Sequence, residues 1–214
     1  MTLLFIFDMD HVLYGYEWDR RIAGLSAATG LPPAEVRARW WDAGREVQAE
    51  AGAFRTGDEY IAAFSDAMDT TITKDEWVRI RGEAMTPWPD SIAAAARARR
   101  YGQVTLLTNN GALVGESLGV LAPALAPVFG EHLLTSSAYG ARKPDPQVFS
   151  NVLARYGIAA EDAFFADDLA INVAGAASIG ISAHQFLTAE GMCAAIDEFA
   201  MSRGTALVGS TTAL

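Results

Sequence analysis

Apolar residues in this chain fall into two kinds of run. Residues 3–7, Leu-Leu-Phe-Ile-Phe, are continuously apolar, the pattern of a strand buried on both faces of a parallel sheet. The run stops abruptly at Asp8-Met9-Asp10. Similar runs recur at 104–107 before Thr108, 132–134 before Thr135, 163–166 before Asp167, and 180–186. Helical periodicity lies between most of them, over 91–101, 146–156 and 171–179, and a last apolar helix is predicted over 189–200. Strands alternating with helices predict an α/β fold, a Rossmann-like doubly wound parallel sheet. Ligands of such sheets bind outside the carboxyl ends of the strands, and here the polar interruptions fall at those ends.

Residues 15–86 break the alternation. They read as consecutive helices over 18–29, 33–51, 57–68 and 74–85, separated by Gly30-Leu31-Pro32-Pro33 and Thr56-Gly57. Thr73 followed by Glu76 is a capping-box pattern. Pro87-Trp88-Pro89 returns the chain to the sheet. The expected organisation is an α/β core from 1–14 and 87–214, with a helical bundle of 15–86 inserted after the first strand. Residues 204–214 read as a loose tail or an edge element.

Composition narrows the function. The chain has 214 residues and is 51% hydrophobic, enough to bury a core without disulfide staples. Its one cysteine, Cys193, lies in an apolar helical stretch and reads as packed rather than catalytic. A formal net charge of −10 argues against nucleic acid or an anionic membrane as the main partner. It leaves a phosphate substrate open, since a bound divalent cation reverses the local sign. No segment approaches the length of a membrane span, and the apolar start lacks a basic flank, so the expected location is the cytoplasm. Oligomeric state is not legible.

The chemistry gathers at the strand ends. Asp8 and Asp10 point the same way from an extended segment and repel unless a cation or shared proton lies between them. On their own they equally suit a solvated turn. Thr108-Asn109-Asn110-Gly111 offers a hydroxyl and free backbone N–H groups before a helix, a phosphate seat. Lys143, in the proline-bounded turn Arg142-Lys143-Pro144-Asp145-Pro146, is a point charge suited to a transferring phosphoryl group. Asp167-Asp168 supplies a second acid pair, and hard oxygen ligands from two strand ends suit magnesium.

Taken in this order, the four motifs resemble the haloacid dehalogenase-like (HAD) hydrolase superfamily over nearly the whole chain. Asp8-x-Asp10 is similar to its first motif, Thr108 to the second, Lys143 to the third, and Asp167-Asp168, continuing into Asn172 and Gly175-Ala176, to the fourth. The helical insertion resembles the superfamily's caps. Segments 54–60 and 139–144 look closest to sugar-phosphate and epoxide-hydrolase-like phosphatases. The resemblance implies Asp8 as nucleophile and Asp10 as acid and base. It implies Mg2+ held by the Asp8 carboxylate, the Asp10 backbone carbonyl and the Asp167 carboxylate. Thr108 and Lys143 would hold the phosphoryl oxygens, with Asn109 beside them at the substrate. Asp168 is expected either at the metal or orienting Lys143, with the metal preferred. His11 departs from the pattern, standing where glycine is common.

The implied partner is a small phosphorylated metabolite, with Trp18, Arg20, Arg21, Trp40, Trp41, Arg45 and Arg55 as candidate cap contacts. Arg45 and Arg55, flanking a turn between cap helices, are the preferred substrate-binding pair. Against them, tryptophans in such helices ordinarily pack in the core, and arginines ordinarily stay solvated or pair with Glu17, Glu46 or Glu50. The expected activity is magnesium-dependent hydrolysis of a phosphate monoester. A phosphomutase retains all four motifs and remains an alternative. A 2-haloacid dehalogenase requires neither Asp10 nor Asp167, and a non-catalytic phosphate-binding protein has no demand for the intact set.

Overall fold

The computed structural model describes residues 2–204; of the tail expected over 204–214, residues 205–214 lie outside them. Four parallel strands form the main sheet: β1 (Leu3–Phe7), β4 (Gly102–Leu106), β5 (Ala163–Asp167) and β6 (Ser182–Gln185), in the order β4-β1-β5-β6. Alternate side chains of β1 serve opposite faces. Phe5 and Phe7 pack with Phe164 and Phe199, whereas Leu4 and Ile6 pack with Phe149 and Phe165. Helices α6 (Pro89–Ala98) and α11 (Ala189–Ser202) contribute to the first layer. Helices α9 (Pro146–Tyr156) and α10 (Ala170–Ala177) contribute to the second. The doubly wound core is therefore present, and β1 lies inside it with no exposed residue.

The strand expected over 132–134 is absent among the described residues. Residues Gly130–His132 form a 3-10 turn, and a single bridge joins Thr108 to Thr135. The His132 carbonyl is met by a side chain instead: Thr105 Oγ1 donates to it at 3.2 Å, while Tyr156 OH lies 3.1 Å from the His132 ring at Nδ1.

Between the strands of the core stand the inserted helices α1 (Trp18–Thr29), α2 (Pro33–Arg37), α3 (Arg45–Glu50), α4 (Gly57–Met68) and α5 (Lys74–Glu83). The single helix expected over 33–51 is broken. A π-helical turn spans Ala38–Asp42, and Gly44 takes a left-handed φ of 73° before α3. This break lets Trp40 bury fully against Phe54, Tyr60 and Phe64. Thr56 and Thr73 cap α4 and α5 by accepting from Glu59 N and Glu76 N, the second as the Thr73–Glu76 pattern predicts. The two chain crossings between insertion and core pair as an antiparallel ribbon, β2 (Tyr14–Tyr16) with β3 (Met85–Pro87). Helix α7 (Ala112–Leu121) packs on both α4 and α5, and the short α8 (Ala126–Phe129) follows it. No single helix among the described residues is long and apolar enough to cross a membrane.

Candidate active site

Asp8 leaves the end of β1 while still in the sheet, its N–H donating to Ala166 O at 3.0 Å. Its Oδ1 accepts from Met9 N at 2.7 Å and lies 2.9 Å from Lys143 Nζ. Asp167, the last residue of β5, is wholly buried, and its Oδ2 lies 2.6 Å from the same Nζ. Leu169 N and the Asn172 amide complete its shell. Lys143 is 1% exposed, so its ammonium is held wholly between two carboxylates.

Asp168 joins them: carboxylate oxygens of Asp8, Asp167 and Asp168 all lie within 4.8 Å of one another. Three acids and one ammonium leave an excess of two negative charges, and burial makes that excess costly. Burial therefore drives the Asp8 carboxyl well above the usual carboxylate range; the Lys143 ammonium pulls it back, and the Asp167 charge adds to the rise. Asp168 is raised by burial and by Asp167, with His11 opposing. Burial acts against the Lys143 charge, but Asp8 and Asp167 outweigh it and hold Lys143 above its ordinary value. An all-oxygen set with this charge deficit fits a hard divalent cation such as magnesium.

Asp10 stands apart from that cluster. Its Oδ2 accepts from Arg81 Nη2 at 2.8 Å, and its Oδ1 has no partner. Arg81 is a buried residue of α5 that was not among the expected contacts. It lies on the stripe Trp77, Ile80, Arg81, Ala84, all buried, so a charged residue at a core position of an amphipathic helix was its signal. Asp10 thus contributes no carboxylate oxygen to the acid cluster.

The other expected residues lie as follows. Asn109 Nδ2 donates to Lys143 O and its Oδ1 accepts from Lys143 N, both at 2.9 Å. That side-chain amide is committed to fixing the lysine turn. Arg45 and Arg55 are exposed and make no ion pair with the acids among the described residues; the cap arginine that reaches the site is Arg81. Arg20 pairs with Glu17 at 3.9 Å, as arginines of exposed helices ordinarily do. Thr108 is buried, with Oγ1 accepting from Asn110 Nδ2 at 2.8 Å. His11 adopts φ 61°; the loop keeps a left-handed angle that glycine takes freely and histidine tolerates better than most residues.

A family model described as haloacid dehalogenase-like hydrolase matches residues 2–180. The chain belongs to the haloacid dehalogenase-like hydrolases. Phosphatase MT3486 of Mycobacterium tuberculosis (strain CDC 1551 / Oshkosh) is 30% identical over 184 residues, covering 84% of each chain. A HAD family enzyme from Bacteroides thetaiotaomicron, solved as a magnesium complex, shares the fold with a TM-score of 0.69 at 19% identity, over 86% of this chain and 93% of that one. A 2-haloacid dehalogenase from Pseudomonas syringae pv. Tomato DC3000 shares it less closely, with a TM-score of 0.57 at 22% identity over 87% and 86%. The HAD-like hydrolase fold therefore carries more than one chemistry among these neighbours, and the choice rests on the site.

Proposed function

We propose that this HAD-like hydrolase is a magnesium-dependent phosphatase acting on a small phosphate monoester. The observation that carries the reading is the cluster of Asp8, Asp167 and Asp168 around the buried Lys143 ammonium. A carbon–halogen hydrolysis has no use for three converging acids. A phosphoryl transfer needs cations to offset the repulsion between a carboxylate nucleophile and an anionic ester. Magnesium held by Asp8, Asp167 and Asp168, with the Asp10 carbonyl, would supply that charge.

The residues then divide the work. An Asp8 carboxylate oxygen attacks phosphorus as the ester P–O bond breaks, giving an aspartyl-phosphate. Asp10 gives its proton to the departing alkoxide. In the second half Asp10 takes a proton from water as the water oxygen attacks phosphorus; the P–O bond to Asp8 breaks and inorganic phosphate leaves. Lys143 and Thr108 hold the phosphoryl oxygens, Asn109 holds Lys143, and Arg81 holds Asp10 in the site. Residues 15–86 act as a cap that excludes water.

Phosphate release from p-nitrophenyl phosphate tests this directly. Turnover is expected with magnesium, to be lost with chelator, and to fall at least about a thousandfold in Asp8→Asn, a loss on the scale of removing a nucleophile. Metal-independent release of chloride from a chloro-acid would instead assign the dehalogenase chemistry. Conversion of a sugar monophosphate to its positional isomer, with little phosphate released, would assign a mutase.

A further inference from the structure

Two arginines of the inserted helices are buried where amphipathic helices normally place apolar side chains. Arg21 of α1 lies on the stripe Trp18, Arg21, Ile22, Leu25, and Arg81 occupies the matching position on α5. Arg21 is 2% and Arg81 4% exposed. Their guanidinium faces are covered: Arg21 lies 4.1 Å from the Trp77 ring centroid and Arg81 4.8 Å from that of Tyr16. Stacking on an aromatic ring uses the face of the cation and leaves its in-plane N–H donors unmet. Nε and Nη1 of Arg21, and Nε of Arg81, have neither a partner nor solvent.

Charge gives the same result. Among the described residues Arg21 has no carboxylate within ion-pair distance, and Arg81 has Asp10 alone. The nearby acid Glu46 accepts on Oε2 from Trp40 Nε1 and from Tyr60 OH, the latter at 2.8 Å, and makes no ion pair with either arginine among the described residues. Unpaired buried cations are expensive, and a bound anion would offset that cost. The Asp10–Arg81 pair and the Arg21–Trp77 stack meet on helix α5, which leads from the acid–base carboxylate into the cap. Trp77 and Arg81 are four residues apart on one helix face, and Arg21 covers Trp77.

We infer that Arg21 and Arg81 form an oxyanion seat in the cap, so that the hydrolysed ester carries a second negative group, carboxylate or phosphate, on a short leaving alcohol. This rests on the phosphatase reading, which assigns Asp10 to the leaving oxygen. The seat begins at the residue that holds Asp10, so the second anion lies only a few atoms from the scissile bond. Guanidinium donors engage planar or tetrahedral oxyanions in pairs, which is the partner the unmet N–H groups lack.

Calorimetric titration of the Asp8→Asn protein in magnesium tests the seat without turnover. The probes are carboxymethyl phosphate, its neutral amide, and ethylene glycol bisphosphate. At least one anionic probe is expected to bind at least about tenfold tighter than the amide, a difference readily resolved in Kd. A stronger response to the bisphosphate identifies phosphate as the second group; a stronger response to the acid identifies carboxylate. Arg21→Met in the same background should remove most of the preference, and Arg21→Lys should restore part of it. Equal binding of all three probes overturns the inference, as does an unchanged preference in Arg21→Met. If Arg21→Met does not fold, the probe comparison and Arg21→Lys still decide it, since loss of charge-selective binding is read in folded protein. Wild-type protein that keeps the preference yet hydrolyses no phosphate ester would sink the phosphatase reading alone.

Discussion

Asp167 and Thr108 lie at strand ends of the same sheet but stand in different surroundings. Asp167 receives donors from Leu169, Asn172 and Lys143 and sits within the three-acid cluster. Thr108 is a neutral hydroxyl bonded to Asn110. Removing a negative ligand from a cation site costs more metal affinity than removing a hydroxyl beside it. Asp167→Ala should therefore raise the magnesium concentration for half-maximal phosphate release well above that of Thr108→Ala; titrating both against magnesium checks the order. The acids and Lys143 were readable because each ends a buried strand or starts a helix, where a charge has no packing role. Arg81 was not, because its contact with Asp10 joins positions 71 residues apart. The bracing of Lys143 by the Asn109 side-chain amide joins positions 34 residues apart and was equally out of reach.

The turn carrying Lys143 is held from behind by α10. Gly175 of that helix meets the backbone of the turn so closely that an added Cβ would lie 2.3 Å from the Pro144 carbonyl oxygen. Neither backbone can yield without moving α10 or the lysine turn. Gly175→Ala is expected to cost about 1–3 kcal/mol of stability, the range of an overpacked core. It should also lower kcat, because Lys143 moves away from Asp8 and Asp167; thermal melts and steady-state rates together test both effects. Elements with a clear period were legible, such as α1 and α4, whose observed bounds Trp18–Thr29 and Gly57–Met68 match the pattern. The π-turn at Ala38–Asp42 and the missing strand near His132 were not. Both depend on partners elsewhere, the aromatic cluster around Trp40 and the hydroxyls of Thr105 and Tyr156.

Insertion and core are joined by several contacts besides the β2–β3 ribbon. Gly57 N donates to Glu116 at 2.8 Å, Lys74 pairs with Glu116 at 3.0 Å, and Ser136 Oγ donates to Glu50 O at 2.7 Å. The Glu50 carboxylate meets Arg142 at 2.5 Å, one residue before Lys143. Burial pushes Glu50 up to about 7 from its ordinary 4.5, more than Arg142 pulls it down. A carboxyl raised on folding binds its proton more tightly in the folded state. Its contribution to stability is complete below its unfolded value and fades as pH rises through the folded one. Between pH 5 and 8 the wild-type Tm should carry a decline from this group, and Glu50→Gln should flatten it; melts across that window measure the difference. A slope unchanged by the substitution would show that Glu50 does not titrate there.

A buried strand run interrupted by paired acids, and repeated with different polar ends, was enough to foretell the α/β core and its buried parallel strands. Those features follow from local periodicity and from where a parallel sheet exposes its strand ends. The direction of Asp10 toward Arg81, the burial of Arg21, the bracing by Asn109 and the exposure of Arg45 and Arg55 depend on helices packing across long stretches of chain. A charged side chain reads the same in a linear pattern whether packing leaves it in water or encloses it, so its surroundings had to come from the folded chain.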